Sequence, residues 1–375
     1  MTSQPYSARR SMASLVVVIG LLSAGAVLVA RVESSGGSPP ATASADQIGP
    51  SARQRATPAA AAGLRLMKAA AAADQTVSFR GVQVDSWPAG GRERAAAVQV
   101  WHQPGQPVLA QYAAGSEADW PGSPPADGAA LADQADVLTV TTPLLALMRE
   151  RYLLTYAGPG RADGRAAQVI EVRRPGGGLA GRYWLDRATG LPLRRDLYDQ
   201  RGRVFSEVAF AQLSIGSWPA GQMPSAAARP WSGQLTAARR AALRAAGWPL
   251  PRSMAGGLSL FAATQTVTAS GRVVELSYSD GLSVESVFVQ RGELPARLPG
   301  WRPITAGGHE VYAIDPDDRS LAWSAGGYVV TVISDAPAGT VDQAVTDVPA
   351  ARPAGFWPRM ARGFRRLLSW ANPLG

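Results

Sequence analysis

The chain of 375 residues contains no cysteine, two histidines (His102 and His309) and one lysine, Lys68. Without cysteine there is no disulfide, no thiolate metal ligand, no cysteine nucleophile and no lipobox-type lipid anchor. Two lone histidines at strand ends give poor support to a histidine-based triad, and no G-x-S-x-G elbow is present to activate a serine. Ser259, Ser279 and Ser283 lack any other activating context. Phosphate-binding fingerprints are missing as well: Gly176-Gly177-Gly178 follows a strand, but no helix-forming run succeeds it, so it reads as a turn. Asp315, Asp317 and Asp318 bunch in a loop without the ligand spacing or terminal glutamate of a calcium loop. The net charge of +9 is almost wholly arginine, scattered along the chain with no groove-fitting motif, which argues against nucleic acid as a partner. The expectation is a protein that is not an enzyme and uses no metal or cofactor.

A hydrophobic content of 46% against 17% charged residues is globular, while 40 glycines and 29 prolines imply long irregular connections. The length suits two folded domains plus ends. Arg9 and Arg10 precede an uncharged segment, residues 11–30, which at about 1.5 Å per residue matches a bilayer core of about 30 Å. It is either an uncleaved anchor or an export signal cleaved near Ala24-Gly25-Ala26. Both place the body outside the cytoplasm, at the cell membrane or free in the periplasm, because the flanking arginines stay inside.

Residues 1–31 are thus assigned to a stub and anchor or signal, and residues 32–58, rich in Ser, Gly, Pro and Ala, to a disordered tether. A first domain covers 59–216, an Ala/Pro/Arg connection 217–246, a second domain 247–349, and a basic tail 350–375. In the tail, Met360, Phe364 and Leu367 share a helical face, which either meets an anionic membrane surface or packs on the protein.

Within the first domain, residues 59–73 read as a short alanine-rich helix, and Thr142-Pro143 as the cap and first residue of another, running to about Arg151. Apolar, β-branched runs separated by Gly/Pro turns mark strands. Residues 181–216 read as a meander. A four-residue loop at 187–190 sets Trp184 opposite Leu193, and a second at 199–202 sets Leu197 opposite Val204 and Leu193 opposite Val208. Trp184, Leu193, Val208 and Phe210 then share one apolar face, interrupted by a paired Arg195 and Ser206. In the second domain, a bulged turn with Gly281 left-handed sets Tyr278 opposite Leu282.

Two blocks carry a family likeness. Arg182-Tyr-Trp-Leu-Asp186, Thr189-Gly-Leu-Pro-Leu-Arg194, Asp199-Gln-Arg-Gly202 and Phe210-Ala-Gln-Leu-Ser-Ile-Gly216 resemble the sheet signature of the RseB/MucB N-terminal domain. Gly247-Trp-Pro-Leu-Pro251 and the run from Leu276 to Phe288 resemble the opening and central hairpin of that family's C-terminal domain. The resemblance covers about residues 60–349. It implies an α+β fold: a large antiparallel half-barrel sheet with covering helices, similar to lipoprotein carriers, plus a smaller α+β C-terminal domain. It also implies a regulator that binds the extracytoplasmic segment of a membrane anti-sigma factor and takes a lipid-like ligand; the alternative is a lipid or lipoprotein carrier. Candidate lining residues for a ligand cavity are Phe79, Trp101, Tyr112, Leu144, Met148, Tyr156, Trp184, Leu193, Val208 and Phe210. Candidates for contact with the partner are Tyr278, Asp280, Gly281, Leu282 and Trp323.

Overall fold

The computed structural model describes residues 57–89, 91–106, 108–112, 130–131, 137–217, 233–268, 271–295, 297–298, 301–313 and 320–348. The expected anchor, the basic tail, the Asp315 loop and all but the last two residues of the tether lie outside this set. Among the described residues no helix is long and apolar enough to cross a membrane.

The α+β expectation holds, as two open antiparallel sheets with few helices. The first sheet contains β1 (Phe79–Ala89), β2 (Arg92–His102), β3 (Leu109–Tyr112), β4 (Ala130–Leu131), β5 (Leu153–Ala162), β6 (Arg165–Arg173), β7 (Leu179–Asp186), β8 (Pro192–Tyr198) and β9 (Val204–Ile215). Their order, 4-3-2-1-9-8-7-6-5, is two meanders zipped together along β1 and β9.

Helix α1 (Pro58–Thr76) starts where the Thr57 hydroxyl accepts from Ala60 N at 3.1 Å and proline takes the first helical position. Helix α2 (Thr142–Arg151) is capped by Thr141, one residue earlier than the sequence suggests, because the Thr141 hydroxyl lies within reach of Leu144 N. Both helices press Met67, Ala70, Leu145 and Met148 against Leu154, Ile170, Tyr183 and Leu185 of the sheet. Residues 137–140 cover the other half of the same face: Gln83 accepts from Leu138 N at 3.0 Å, and Val137 and Leu138 pack with Phe79, Val100, Val208 and Phe210.

The second sheet contains β10 (Gly233–Gln234), β11 (Ser259–Thr268), β12 (Gly271–Ser279), β13 (Val284–Arg291), β14 (Arg302–Ala306), β15 (His309–Ala313), β16 (Ser320–Ser324) and β17 (Tyr328–Ser334), in the order 10-11-12-13-17-16-15-14. Helices α3 (Ala237–Ala245) and α4 (Ala338–Asp347) accompany it. Leu235, Leu243, Val341 and Val345 share its core with Val274, Leu276, Tyr278 and Trp323. Residues 233–246, expected to be connection, therefore fold with this sheet. The helix there turns Leu243 into that core.

Two registers differ from the sequence expectation. Trp184 stands opposite Arg194, not Leu193, and Arg195 opposite Val208, because bulges fall at Trp184/Leu185 and Leu197/Tyr198. Each bulge inserts a residue and turns the side chains beyond it to the other face. Trp184 and Val204 therefore leave the covered face, and Ser206 pairs with Leu197. In the second sheet Ser279 pairs with Val284 and Tyr278 with Glu285, which makes the turn four residues long, 280–283, instead of three. Gly281 does take the left-handed conformation, at φ 94°.

Candidate binding site at the junction of the two sheets

The turn 280–283 projects from the second sheet into the covered face of the first. Its shape is fixed locally: Ser279 Oγ accepts from Gly281 N at 2.8 Å and donates to Ser283 O at 2.7 Å. Asp280 Oδ1 accepts from Leu282 N and Ser283 N, both at 2.9 Å. The other Asp280 oxygen accepts from the Tyr152 hydroxyl at 2.5 Å. Burial, followed by this carboxylate, pushes the Tyr152 hydroxyl far above its ordinary pKa, so it stays protonated and donating.

Gly281 lies flat on α2. A Cβ there would stand 2.3 Å from Met148 N and 2.6 Å from Leu144 O, so only glycine allows this approach. Leu282, 5% exposed, joins the core formed by Met148, Tyr183 and Leu197, and sits over Gly181 of β7, where a Cβ would meet it at 3.1 Å. Burying one leucine contributes about 2 kcal/mol.

Arg195 completes the junction. The guanidinium, on an otherwise apolar face, donates to Leu282 O and to Asp335 Oδ2, each at 3.4 Å. Asp335 also accepts from Val284 N at 2.6 Å, so it fastens the root of the same turn. Burial would depress the Arg195 guanidinium, yet Asp335, Tyr183 and Asp85 around it hold it above its usual value. Burial raises the Tyr183 hydroxyl to about 12. Arg151 adds a peripheral bond to Ser259 at 3.1 Å.

The candidate cavity residues divide between several places. Phe79, Trp101, Leu144, Met148, Leu193, Val208 and Phe210 are buried, and Tyr156 packs at the edge of the α1–α2 core. The face expected to stay open for a lipid is thus filled by α1, α2, residues 137–140 and Leu282. Tyr112 lies on β3, and its side chain falls outside the described set. Trp184 faces the other way, with the Arg194 and Arg182 guanidiniums 4.9 and 5.8 Å from its ring. There, Trp184, Leu193 and Phe210 line an open depression of about 450 Å³ with Arg161, Arg182 and Arg194. Arg182 is tied to Glu171 and Arg194 to Asp196 and Glu207, each at 2.7 Å.

The partner candidates are likewise internal. Tyr278 and Trp323 belong to the core of the second sheet, and Asp280, Gly281 and Leu282 are spent on the first. None offers an exposed surface in this structure, because the turn that carries three of them is inserted. Tyr152, Gly181, Tyr183 and Asp335 were not singled out from the sequence. In the sequence Arg195 stands out only as a charge on an apolar face, the one signal that something polar must approach there. Among the described residues no three His, Asp or Glu side chains gather in a way that could hold a metal.

The architecture defines a class: an α+β protein of two open antiparallel sheets joined by a plug-and-socket contact. Residues 92–231 match the MucB/RseB N-terminal domain, the family that the blocks at 182–216 and 247–288 resemble. The sigma factor AlgU regulatory protein MucB of Pseudomonas aeruginosa is 30% identical over 205 residues, covering 52% of this chain and 60% of that protein. The chain thus matches less than two thirds of this relative's length. The solved MucA/MucB complex of Pseudomonas aeruginosa contains a chain 21% identical, with a TM-score of 0.43, covering 78% of this chain and 99% of that one.

Proposed function

We propose that this protein is a non-enzymatic extracytoplasmic regulator that binds the external segment of a membrane anti-sigma factor and so restrains a sigma factor. The observation that carries the reading is the MucB/RseB domain at 92–231 with a second sheet seated on it. The relative matched over that region is a sigma factor regulatory protein. The sequence of residues 9–30 supports export, with the N-terminal arginines retained inside and the body held at or released from the membrane. Sensing of a lipid-like ligand is the finer part of the proposal. With the sheet face already occupied, an acyl chain enters only by displacing Leu282 or a covering helix.

A pull-down tests the proposal: the full extracytoplasmic body is immobilised and offered the external segment of an anti-sigma factor encoded beside it, with and without added lipid. Retention without lipid and loss with lipid is the expected result. No retention in either condition overturns the regulator reading, and equal retention in both overturns lipid sensing.

A further inference from the structure

Four features of the turn 280–283 are each matched by one feature of the first sheet. The Asp280 carboxylate meets the Tyr152 hydroxyl, the bare Gly281 backbone meets α2, the Leu282 side chain enters over Gly181, and the Leu282 carbonyl meets Arg195. Such a match is a recognition site, and here the protein supplies its own ligand. The fit is incomplete at one point: Arg195 is buried, its bonds to Leu282 O and Asp335 Oδ2 are both 3.4 Å long, and its Nε has no hydrogen-bond partner among the described residues. A buried N–H left without an acceptor favours a state that brings it one.

We infer that the socket formed by Tyr152, α2, Gly181 and Arg195 is a receptor for a tight turn bearing a carboxylate, a glycine and a leucine. The hairpin tip fills it in cis, and a partner protein carrying that chemistry competes for it. Binding such a partner frees the hairpin and loosens the two sheets from one another. This deepens the regulator reading and rests on it only for who the competitor is. The test below uses this chain alone, so its failure is distinct from failure of the pull-down.

Gly281→Ala drives a methyl group into the backbone of α2 and expels the tip. Gly308→Ala is the control: it imposes a similar left-handed strain, at φ 77°, where a Cβ meets nothing within 4 Å. Hydrogen exchange of the full body is read at the amides of 280–284 and of α2. The expected result is exchange faster by about tenfold or more in Gly281→Ala and at wild-type rate in Gly308→Ala. A synthetic peptide of residues 277–286 should then bind Gly281→Ala and restore protection of α2, while the same peptide with Leu282→Ala should bind about tenfold more weakly or not at all. Should Gly281→Ala fail to fold, Leu282→Ala in the chain empties the socket without a clash, and the same exchange and peptide measurements apply. Wild-type exchange in the folded variant, or an opened socket that ignores the peptide, overturns the inference.

Discussion

Glu285 stands opposite Tyr278 on the core-facing side of β13 with no exposed surface. Burial, reinforced by Asp347 and Asp335, raises its carboxyl to about 8. A raised carboxyl pKa means that the folded protein holds a proton that the unfolded chain, titrating near its ordinary value of about 4.3, has already lost. Stability is therefore highest below about pH 4.5 for this group, and falls as pH rises from there to about 8. Glu285→Gln keeps the shape and removes the titration. In urea melts it should match wild type near pH 4 and exceed it by roughly 3–5 kcal/mol above pH 8, at about 1.4 kcal/mol per pKa unit. Equal stabilities at both pH values would show that the carboxyl titrates normally. Nothing in the residue order announces this proton: Glu285 lies in a run of Val, Ser and Phe that reads only as a strand.

Helix α1 shows an element whose position rests on one missing side chain. Gly63 brings it onto β5 so closely that a Cβ would lie 2.9 Å from Tyr156 N. Alanine is the better helix former by about 1 kcal/mol, so on an isolated helix Gly63→Ala would stabilise. Here the clash is with backbone, which does not yield, and the substitution should instead lower the thermal midpoint by several degrees, on the order of 1–3 kcal/mol. A midpoint that rises would mean α1 does not bear on β5. At this scale the sequence was legible in kind and not in register. The first helix, read as 59–73 from its alanine content and found at 58–76, the second, read from its Thr-Pro start and found at 142–151, and the β9 strand follow from composition, capping and alternation. The bulges beside Trp184 and Leu197 do not, since a bulge costs one unpaired residue and leaves local propensity unchanged. A single such slip sent Trp184 to the outer face and left the inward Arg195 unexplained until Asp335, 140 positions away, came into view.

For the molecule as a whole the consequence is coupling. Two sheets with separate cores would unfold separately if nothing joined them. The Arg195–Asp335 pair, with Leu282 beside it, bridges them, so the two sheets are expected to melt in one transition. Removing one member of a buried pair strands the other, at about 3–5 kcal/mol, whereas replacing both is often nearly neutral. Arg195→Met should therefore split that expected transition into two, because Asp335 loses the guanidinium that faces it across the junction and the turn withdraws. Asp335→Asn retains an oxygen for Val284 N while losing the charge that faces Arg195. The double variant Arg195→Met/Asp335→Asn should melt in one transition again, with a loss clearly smaller than the sum of the two single losses. Strictly additive losses, or a single unchanged transition in Arg195→Met, would mean that the sheets are joined by something other than this junction.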